Sequence, residues 1–288
     1  VWALTWEEAL ARGLRALDDM RVQGVKTTIP LHQELLNQPD FLSGDYTIKW
    51  LEQWLAELEA QEKAFTPYGW PEPGPLYLAP TRFFDFEQAE VADFVREATA
   101  GAHTPREQAV RLFLAVRDQI RYEPYTVRMT PECFRASTVV RERGAFCIPK
   151  AVLLIAGARL LGIPAALGLS DVVNHFSTPR MQQMMGGREV FMHHGWAGLH
   201  IEGRWVKAVP AFNKELCSLM RVPPTEFDGL HDAVLQQYKE DGSVQMEYLR
   251  DHGVWSDLPY LRIDDDWGGY YPHSLWSGQR SRIDVEGL

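Results

Sequence analysis

The spacing of hydrophobic residues divides the chain into a helix-rich first part and a strand-rich stretch after residue 165. In the first part apolar side chains recur every three or four positions, which predicts amphipathic helices. One of these helices begins with the capping pair Thr104 and Glu107. Residues 165–169, 190–201 and 204–209 have the texture of strands, and the last two are joined by a tight turn at Glu202-Gly203. The spacing therefore predicts an α+β protein, with a polar loop over residues 171–187.

The most apolar helical run begins at Cys147 and ends before Gly162 and Pro164, two residues typical of a helix C-terminus. Cys147 is therefore predicted at a helix N-terminus. Unpaired backbone N–H groups and the helix dipole favour a thiolate at that position. A buried structural cysteine at the start of a core helix is the alternative, and the cysteine alone does not decide between them.

A nucleophilic cysteine needs a base, and the strand predicted over residues 190–201 carries two adjacent histidines. The side chains of His193 and His194 are expected on opposite faces of this strand, so that one of them faces the Cys147 helix. His200 shares the face of His194 if the strand has no bulge. These histidines also raise the question of a metal site, but no Cys pair or HExxH motif supports one. We therefore expect no metal and no cofactor.

Composition limits the partners and the compartment. The formal net charge of −10 argues against nucleic acid or an anionic membrane as the main partner. No stretch is long and apolar enough for a membrane span, and no signal-peptide pattern is visible at residue 1. The three cysteines include no CxxC pair, which fits a reducing compartment. We expect a cytoplasmic protein; the sequence does not indicate its oligomeric state.

Residues 3–63 resemble the C-terminal end of biotin carboxylase. The resemblance is carried by the run from Ala16 through Lys26-Thr-Thr-Ile-Pro30 to Leu36, and by Pro39-Asp-Phe-Leu-Ser-Gly44. It implies a small, mostly helical segment. The ATP-binding and biotin-binding parts of that family have no counterpart here, and the sequence contains no glycine-rich phosphate loop. We therefore expect no carboxylase activity.

Residues 83–220 resemble the transglutaminase-like superfamily of papain-like cysteine enzymes. The first motif is the glycine before Cys147, the Ala151-Val-Leu-Leu run and Leu161-Gly-Ile-Pro-Ala165. The second motif is His194-Gly-Trp196 followed by Gly203-Arg-Trp205. The resemblance implies a helix that begins with the nucleophile Cys147 and packs on an antiparallel sheet. It also implies His194 as general base and acid, and an acyl, peptide or ester substrate that forms a thioester with Cys147.

The third member of the site is less evident from the sequence. The superfamily usually has an aspartate about four residues after the hairpin tryptophan, and this chain has Val209 there. Asn213 is the nearest polar substitute, since Cys–His–Asn arrangements work in papain-like enzymes. Asp171 or Asp228 could instead reach His194 from a loop. Asn213 could equally be a turn residue that bonds its own backbone.

The sequence predicts three segments, and two functions are compatible with it. Residues 1–63 form the carboxylase-like segment, residues 64–82 a Pro/Gly-rich linker, and residues 83–288 the transglutaminase-like catalytic domain. The expected function is a cysteine-dependent acyl hydrolase or acyltransferase with Cys147, His194 and Asn213 as catalytic residues. The alternative is an inactive binding or scaffold protein of the same fold. Asp264, Asp265 and Asp266 are interpreted as a solvated acidic turn.

Overall fold

A computed structural model describes residues 1–20, 28–44, 46–47, 49–55, 69–175, 178–235 and 246–272. The chain forms two compact units, Val1–Ala60 and Gln61–Leu288. None of the described helices has the length and apolar character that crossing a membrane requires.

The first unit is helical. Its helices are α1 (Trp6–Asp19), α2 (Ile29–Leu35) and α3 (Pro39–Ser43), and residues 50–55 are also helical. The hydroxyl of Thr5 accepts the N–H of Glu8 at the start of α1, because the first backbone amides of a helix lack partners within it. Aromatic rings pack together within the unit: Phe41 stacks on Tyr46 and Trp50 stacks on Trp54. The prediction of a mostly helical N-terminal segment is confirmed.

The second unit contains seven helices among the residues described. They are α4 (Ala89–Ala98), α5 (Pro105–Gln119), α6 (Ala136–Glu142), α7 (Cys147–Leu160), α8 (Pro179–Met184), α9 (Lys214–Met220) and α10 (Tyr260–Tyr270). The capping box predicted at Thr104 and Glu107 is present at the start of α5.

The described residues of this unit also form two sheets. The small one pairs β1 (Arg121–Tyr122) in parallel with β2 (Gly144–Ala145). The large one is antiparallel and has the strand order β5-β4-β3-β6. Its strands are β3 (Ala165–Asn174), β4 (Val190–Ile201), β5 (Arg204–Ala208) and β6 (Met246–Trp255). Glu202 and Gly203 join β4 to β5 with positive φ values of 50° and 82°, as a type I′ hairpin turn requires. The α+β class is confirmed.

Helix α7 is the centre of the main core. It is buried along most of its length, because its residues are apolar on every side, as expected for a helix enclosed by other elements. Gly162, with a φ of 75°, ends α7 as predicted. The N–H of Gly162 bonds the carbonyl of Arg159, and the N–H of Ile163 bonds that of Ala158.

A buried lysine ties α7 to α5. The side-chain nitrogen of Lys150, one turn after Cys147, donates to the backbone carbonyls of Arg117 at 2.9 Å and Ile120 at 2.5 Å. These carbonyls lie at the C-terminal end of α5, where the last carbonyls of a helix have no N–H donors within the helix. The start of α7 is thereby fixed to the end of α5.

Helix α7 approaches β4 backbone to backbone at Gly195. A Cβ atom on Gly195 would lie 2.7 Å from the Cα of Ile148 and 3.1 Å from its backbone nitrogen. Those distances are shorter than real Cβ contacts, so only glycine fits at this position. The first turn of α7, with Cys147, is therefore seated directly on β4.

The opposite face of the large sheet has its own apolar cluster, which includes Trp196, Val209 and Phe212. The ring of Trp196 occupies the space above Gly168, where a Cβ would come within 2.1 Å of it. Trp70 stacks on Trp205 at 5.4 Å between ring centroids, so part of the segment predicted as a linker packs on this face. The limits predicted at residues 63 and 82 stay predictions.

Two predictions of local structure were wrong. The polar loop expected from residue 171 begins later, because β3 continues to Asn174, and α8 occupies part of the remaining stretch. Asp171 tolerates a place inside the sheet because two hydrogen-bond donors reach its carboxylate. The acidic run Asp264–Asp266 lies in α10 instead of a turn, and the carboxylate of Asp266 bonds a buried histidine.

The contact at Gly195 generates a stability prediction. Replacing Gly195 with alanine should destabilise the protein by about 1–3 kcal/mol, because the added methyl group meets backbone that cannot rotate away. Gly74→Ala is the matched control, since a Cβ there has nothing within 4 Å. Thermal unfolding of both variants measures the difference. Equal unfolding midpoints for the two variants would contradict the close approach.

Candidate active site

Cys147 is the first residue of α7, as predicted, and is half-buried between the two apolar clusters. The backbone N–H groups of Gly195, Ile148 and Cys147 itself lower the pKa of its thiol. Burial has the larger effect and raises the pKa of the thiol to about 11. The helix start thus supplies the expected donors, but burial keeps the sulfur protonated at neutral pH.

His194 lies on β4, immediately before Gly195. Strand β5 pairs with β4 only over Ala197–Ile201, so Gly195 lies beyond that ladder, and its backbone amide lowers the pKa of the Cys147 thiol. The imidazole of His194 is 5 % exposed, and its Nε2 has no hydrogen-bond partner among the described residues. Burial lowers the pKa of His194 to about 4, so the ring is neutral at pH 7.

Three buried tyrosines lie within electrostatic reach of the sulfur of Cys147. Negative charge on Cys147 raises the pKa of Tyr122, Tyr248 and Tyr271, which shows that each phenol is within electrostatic reach of the sulfur. Burial is the larger cause in each case, and the pKa of Tyr248 reaches about 12. The hydroxyl of Tyr271 also accepts the N–H of Met192 at 2.7 Å. Sequence reasoning missed these side chains, since no spacing links them to Cys147.

Asn213 precedes α9, and its side chain is directed away from His194 to other partners. Its Oδ1 accepts the backbone N–H of Tyr122 at 3.1 Å, and its Nδ2 donates to Glu215 at 2.6 Å. Asn213 therefore holds β1, which carries one of the tyrosines beside Cys147. Neither hydrogen bond of this side chain reaches the imidazole.

The two aspartates considered as alternatives bind other histidines. Asp171 Oδ1 accepts the backbone N–H of His193 at 3.1 Å and lies 2.7 Å from Nε2 of His252. Burial raises the pKa of Asp171, but these hydrogen bonds outweigh it and the pKa is lowered. Asp228 lies at the surface, 2.7 Å from Nδ1 of His231. Burial is the one cause of the lowered pKa of His194, so none of the described carboxylates orients this ring.

A β-bulge separates the two adjacent histidines. Ser170 pairs with His194 and Val172 pairs with Phe191, so two residues of β4 stand opposite Asp171. His193 has a φ of 58°, in the left-handed region. The expected alternation of faces assumes a regular strand, and the bulge interrupts the strand at His193. Both histidines are buried. From His194 to His200 the pairing is unbroken, so those two side chains do share a face.

His193 belongs to a separate polar cluster. Its Nε2 lies 2.7 Å from Oδ2 of Asp266, and its ring centroid is 4.4 Å from that of His252. Burial lowers the pKa of His193, and the hydrogen bond that its Nε2 donates to Asp266 partly offsets this effect. Sequence reasoning did not identify His252 or Asp266, because they lie in the C-terminal stretch where no hydrophobic period is visible.

Two family models match separate parts of the chain. Residues 92–210 match the transglutaminase-like superfamily, and residues 1–53 match the biotin carboxylase C-terminal domain. The first match includes Cys147 and His194. It supports, in general terms, an enzyme of the cysteine hydrolase or acyltransferase type.

The similar curated proteins are carboxylases that match the N-terminal segment. Biotin carboxylase 1 of Bacillus subtilis is 46% identical over 48 residues, which are 17% of this chain and 11% of that protein. The 2-oxoglutarate carboxylase small subunit of Hydrogenobacter thermophilus is 43% identical over 53 residues, or 18% of this chain and 11% of that subunit. The chain therefore spans only about a tenth of the length of these relatives.

Two solved structures are also similar. A candidate cysteine protease from Cytophaga hutchinsonii has a TM-score of 0.37 and 16% identity, and the match covers 53% of this chain and 47% of that one. A candidate protease from Parabacteroides distasonis has a TM-score of 0.30 and 16% identity, with 54% of this chain and 25% of that one covered. These TM-scores are too low to support a conclusion about this chain. The recognition rests on the family models: the segment around Cys147 and His194 matches the transglutaminase-like superfamily, and the N-terminal segment matches the end of biotin carboxylase.

Proposed function

We propose that the protein is a cysteine-dependent acyl hydrolase or acyltransferase that acts on amide, peptide or ester bonds. Cys147 is the nucleophile and His194 the general base and acid. The observation that carries the proposal is the close approach of Gly195, the residue after His194, to the backbone of Ile148 on the first turn of the Cys147 helix. The backbone amide of Gly195 also lowers the pKa of the Cys147 thiol.

The proposed reaction starts from a neutral thiol and a neutral imidazole. As the sulfur of Cys147 bonds to the carbonyl carbon of the substrate, His194 takes the thiol proton. The backbone N–H groups at the start of α7 stabilise the negative oxygen that develops on the carbonyl. His194 then gives the proton to the leaving amine or alcohol, and a thioester remains on Cys147.

The second half of the reaction releases the acyl group. Water or an amine attacks the thioester while His194 removes its proton, and the thiol of Cys147 is regenerated when that proton is returned. The unpartnered Nε2 of His194 supports this role, since a base needs a free lone pair. Asn213 stays a predicted member of the site. In this proposal it acts by holding the backbone of Tyr122 beside the thiol.

An inactive scaffold is the second candidate, and one observation favours it. His194 has no carboxylate partner among the described residues that would stabilise its protonated form. A histidine without an orienting acid is a weaker base than one in a complete triad. Activity measurements on variants distinguish the two candidates.

The first test compares turnover in single variants. Cys147→Ser should abolish thioester formation and turnover of a panel of aryl esters and acyl amides, and His194→Ala should reduce kcat by about 10² to 10⁴ because the general base is lost. Cys217→Ser is the control for cysteine, and His200→Ala is the control for a histidine of the same strand. Retained turnover in Cys147→Ser with an intact fold would disprove the proposal that Cys147 is the nucleophile of an enzyme. A wild type inactive on the whole panel, with no acyl-enzyme seen by mass spectrometry, favours the scaffold.

The second test uses pH. The pKa of Cys147 is raised to about 11, so its thiolate fraction should increase about tenfold per pH unit from pH 6 to pH 9.5. The three neighbouring tyrosines stay protonated in that window, since each of their pKa values is raised above the usual one. Iodoacetamide labelling of Cys147, followed by peptide mass spectrometry, should rise in parallel. Fast labelling below pH 7 that disappears in His194→Ala would instead reveal a thiolate–imidazolium pair.

A further inference from the structure

We propose that Asp171, His193 and His252 form a binding site for a divalent metal ion of the zinc type. The three residues come from three neighbouring strands of the large sheet, β3, β4 and β6. One potential ligand atom from each residue lies within 4.8 Å of the other two, and all three residues are buried. This set differs from the run of histidines on β4 that the sequence indicates.

Two buried nitrogen atoms in this cluster have no partner in the described part of the chain. Nδ1 of His193 and Nδ1 of His252 are both inaccessible to solvent and bond none of the described residues. The side chains are 0 % and 3 % exposed. Each ring binds a carboxylate through its Nε2, His193 through Asp266 and His252 through Asp171. That arrangement places the proton of a neutral His193 on Nε2 and leaves a lone pair on its Nδ1, which is the form that binds metals. His252 faces Asp171 through Nε2, so a metal between these two would replace their hydrogen bond and leave the proton of His252 on Nδ1.

Asp266 supplies the outer contact that histidine ligands usually have. Imidazole ligands of zinc commonly donate their second nitrogen to a carboxylate, which fixes the tautomer and orients the ring. Asp266 stands in that relation to His193 at 2.7 Å, from the second half of α10. Arg262 lies 3.7 Å from the same carboxylate, one helical turn earlier. Asp171 remains as the anionic ligand of the site.

The chemistry of the three ligands decides which ions fit. Two imidazoles and one carboxylate suit zinc and its transition-metal neighbours, whereas calcium and magnesium prefer oxygen ligands throughout. Zinc–ligand bonds of about 2.0–2.2 Å keep any two ligand atoms within roughly 4.4 Å. Binding therefore draws the three side chains slightly closer together than 4.8 Å.

A metal at this site would act on the backbone of β4. His193 is the bulge residue with a φ of 58°, and it directly precedes His194. A cation shared by three strands would fix the bulge and thereby the position of the adjacent imidazole. The inference does not depend on the proposed activity, because Cys147 and His194 are not among the ligands and binding is measured without a substrate.

The test is a titration of the full-length, untagged, metal-stripped protein with Co²⁺, followed by visible absorption, and then displacement by Zn²⁺. We expect one Co²⁺ per chain with ligand-field bands, and a higher thermal unfolding midpoint when Zn²⁺ is added. His252→Gln removes one ligand and should weaken Co²⁺ affinity by at least about 100-fold. Asp266→Asn removes the outer contact at a half-exposed position and should weaken it by about 10- to 100-fold.

His200→Gln is the matched control, since His200 is on the same strand but packs against Trp205 outside the cluster. It should bind Co²⁺ as the wild type does. The inference is overturned if the wild type shows no ligand-field bands, or if its affinity is the same as that of His252→Gln. It is also overturned if His200→Gln loses binding to the same extent. If His252→Gln does not fold, the comparison with Asp266→Asn decides in the same way.

Discussion

The close approach of α7 to β4 at Gly195 is the constraint on which the rest of the second unit depends. Because Gly195 has no side chain, the backbone of the first turn of α7 lies directly against the backbone of β4. The amide of Gly195 can then reach the sulfur of Cys147. Gly195 thus brings strand β4 next to the start of α7 and to the thiol of Cys147.

Burial sets the electrostatic character of this region. It raises the pKa of the thiol and lowers that of the adjacent imidazole, so both groups are neutral at pH 7. The amides around Cys147 oppose the effect only in part. One residue earlier on β4, His193 is buried in a different arrangement, in which it and His252 of β6 each have a carboxylate partner. The two adjacent histidines of β4 therefore differ: His193 has a carboxylate partner, and His194 has none among the described residues.

Local signals in the sequence were sufficient for the helices and the hairpin. Capping residues, Gly162 and the Glu202-Gly203 turn act through neighbours in the chain, and their predictions are confirmed. The two family resemblances rest on motifs of the same local kind, and both are confirmed. The catalytic assignment of Cys147, His194 and Asn213 stays a prediction.

The remaining features depend on residues that are far apart in the chain. Asp171 and His252 are 81 positions apart, and His193 and Asp266 are 73 positions apart, so no local spacing connects them. The bulge at His193 could not be predicted either, because it arises from the pairing with β3. Strand alternation holds only while two strands advance at the same rate. The bulge interrupts this alternation at His193, directly before His194.

The bond between Lys150 and the end of α5 has a consequence for how the site can open. Tyr122 follows α5 almost at once, and the same lysine is one turn from Cys147. The first turn of α7 and the end of α5 are therefore joined as one block. His194 lies on a separate strand, whose Gly195 lies against Ile148 of this block. Motions that admit a ligand are expected to leave the tie between α7 and α5 intact, because its two hydrogen bonds are buried.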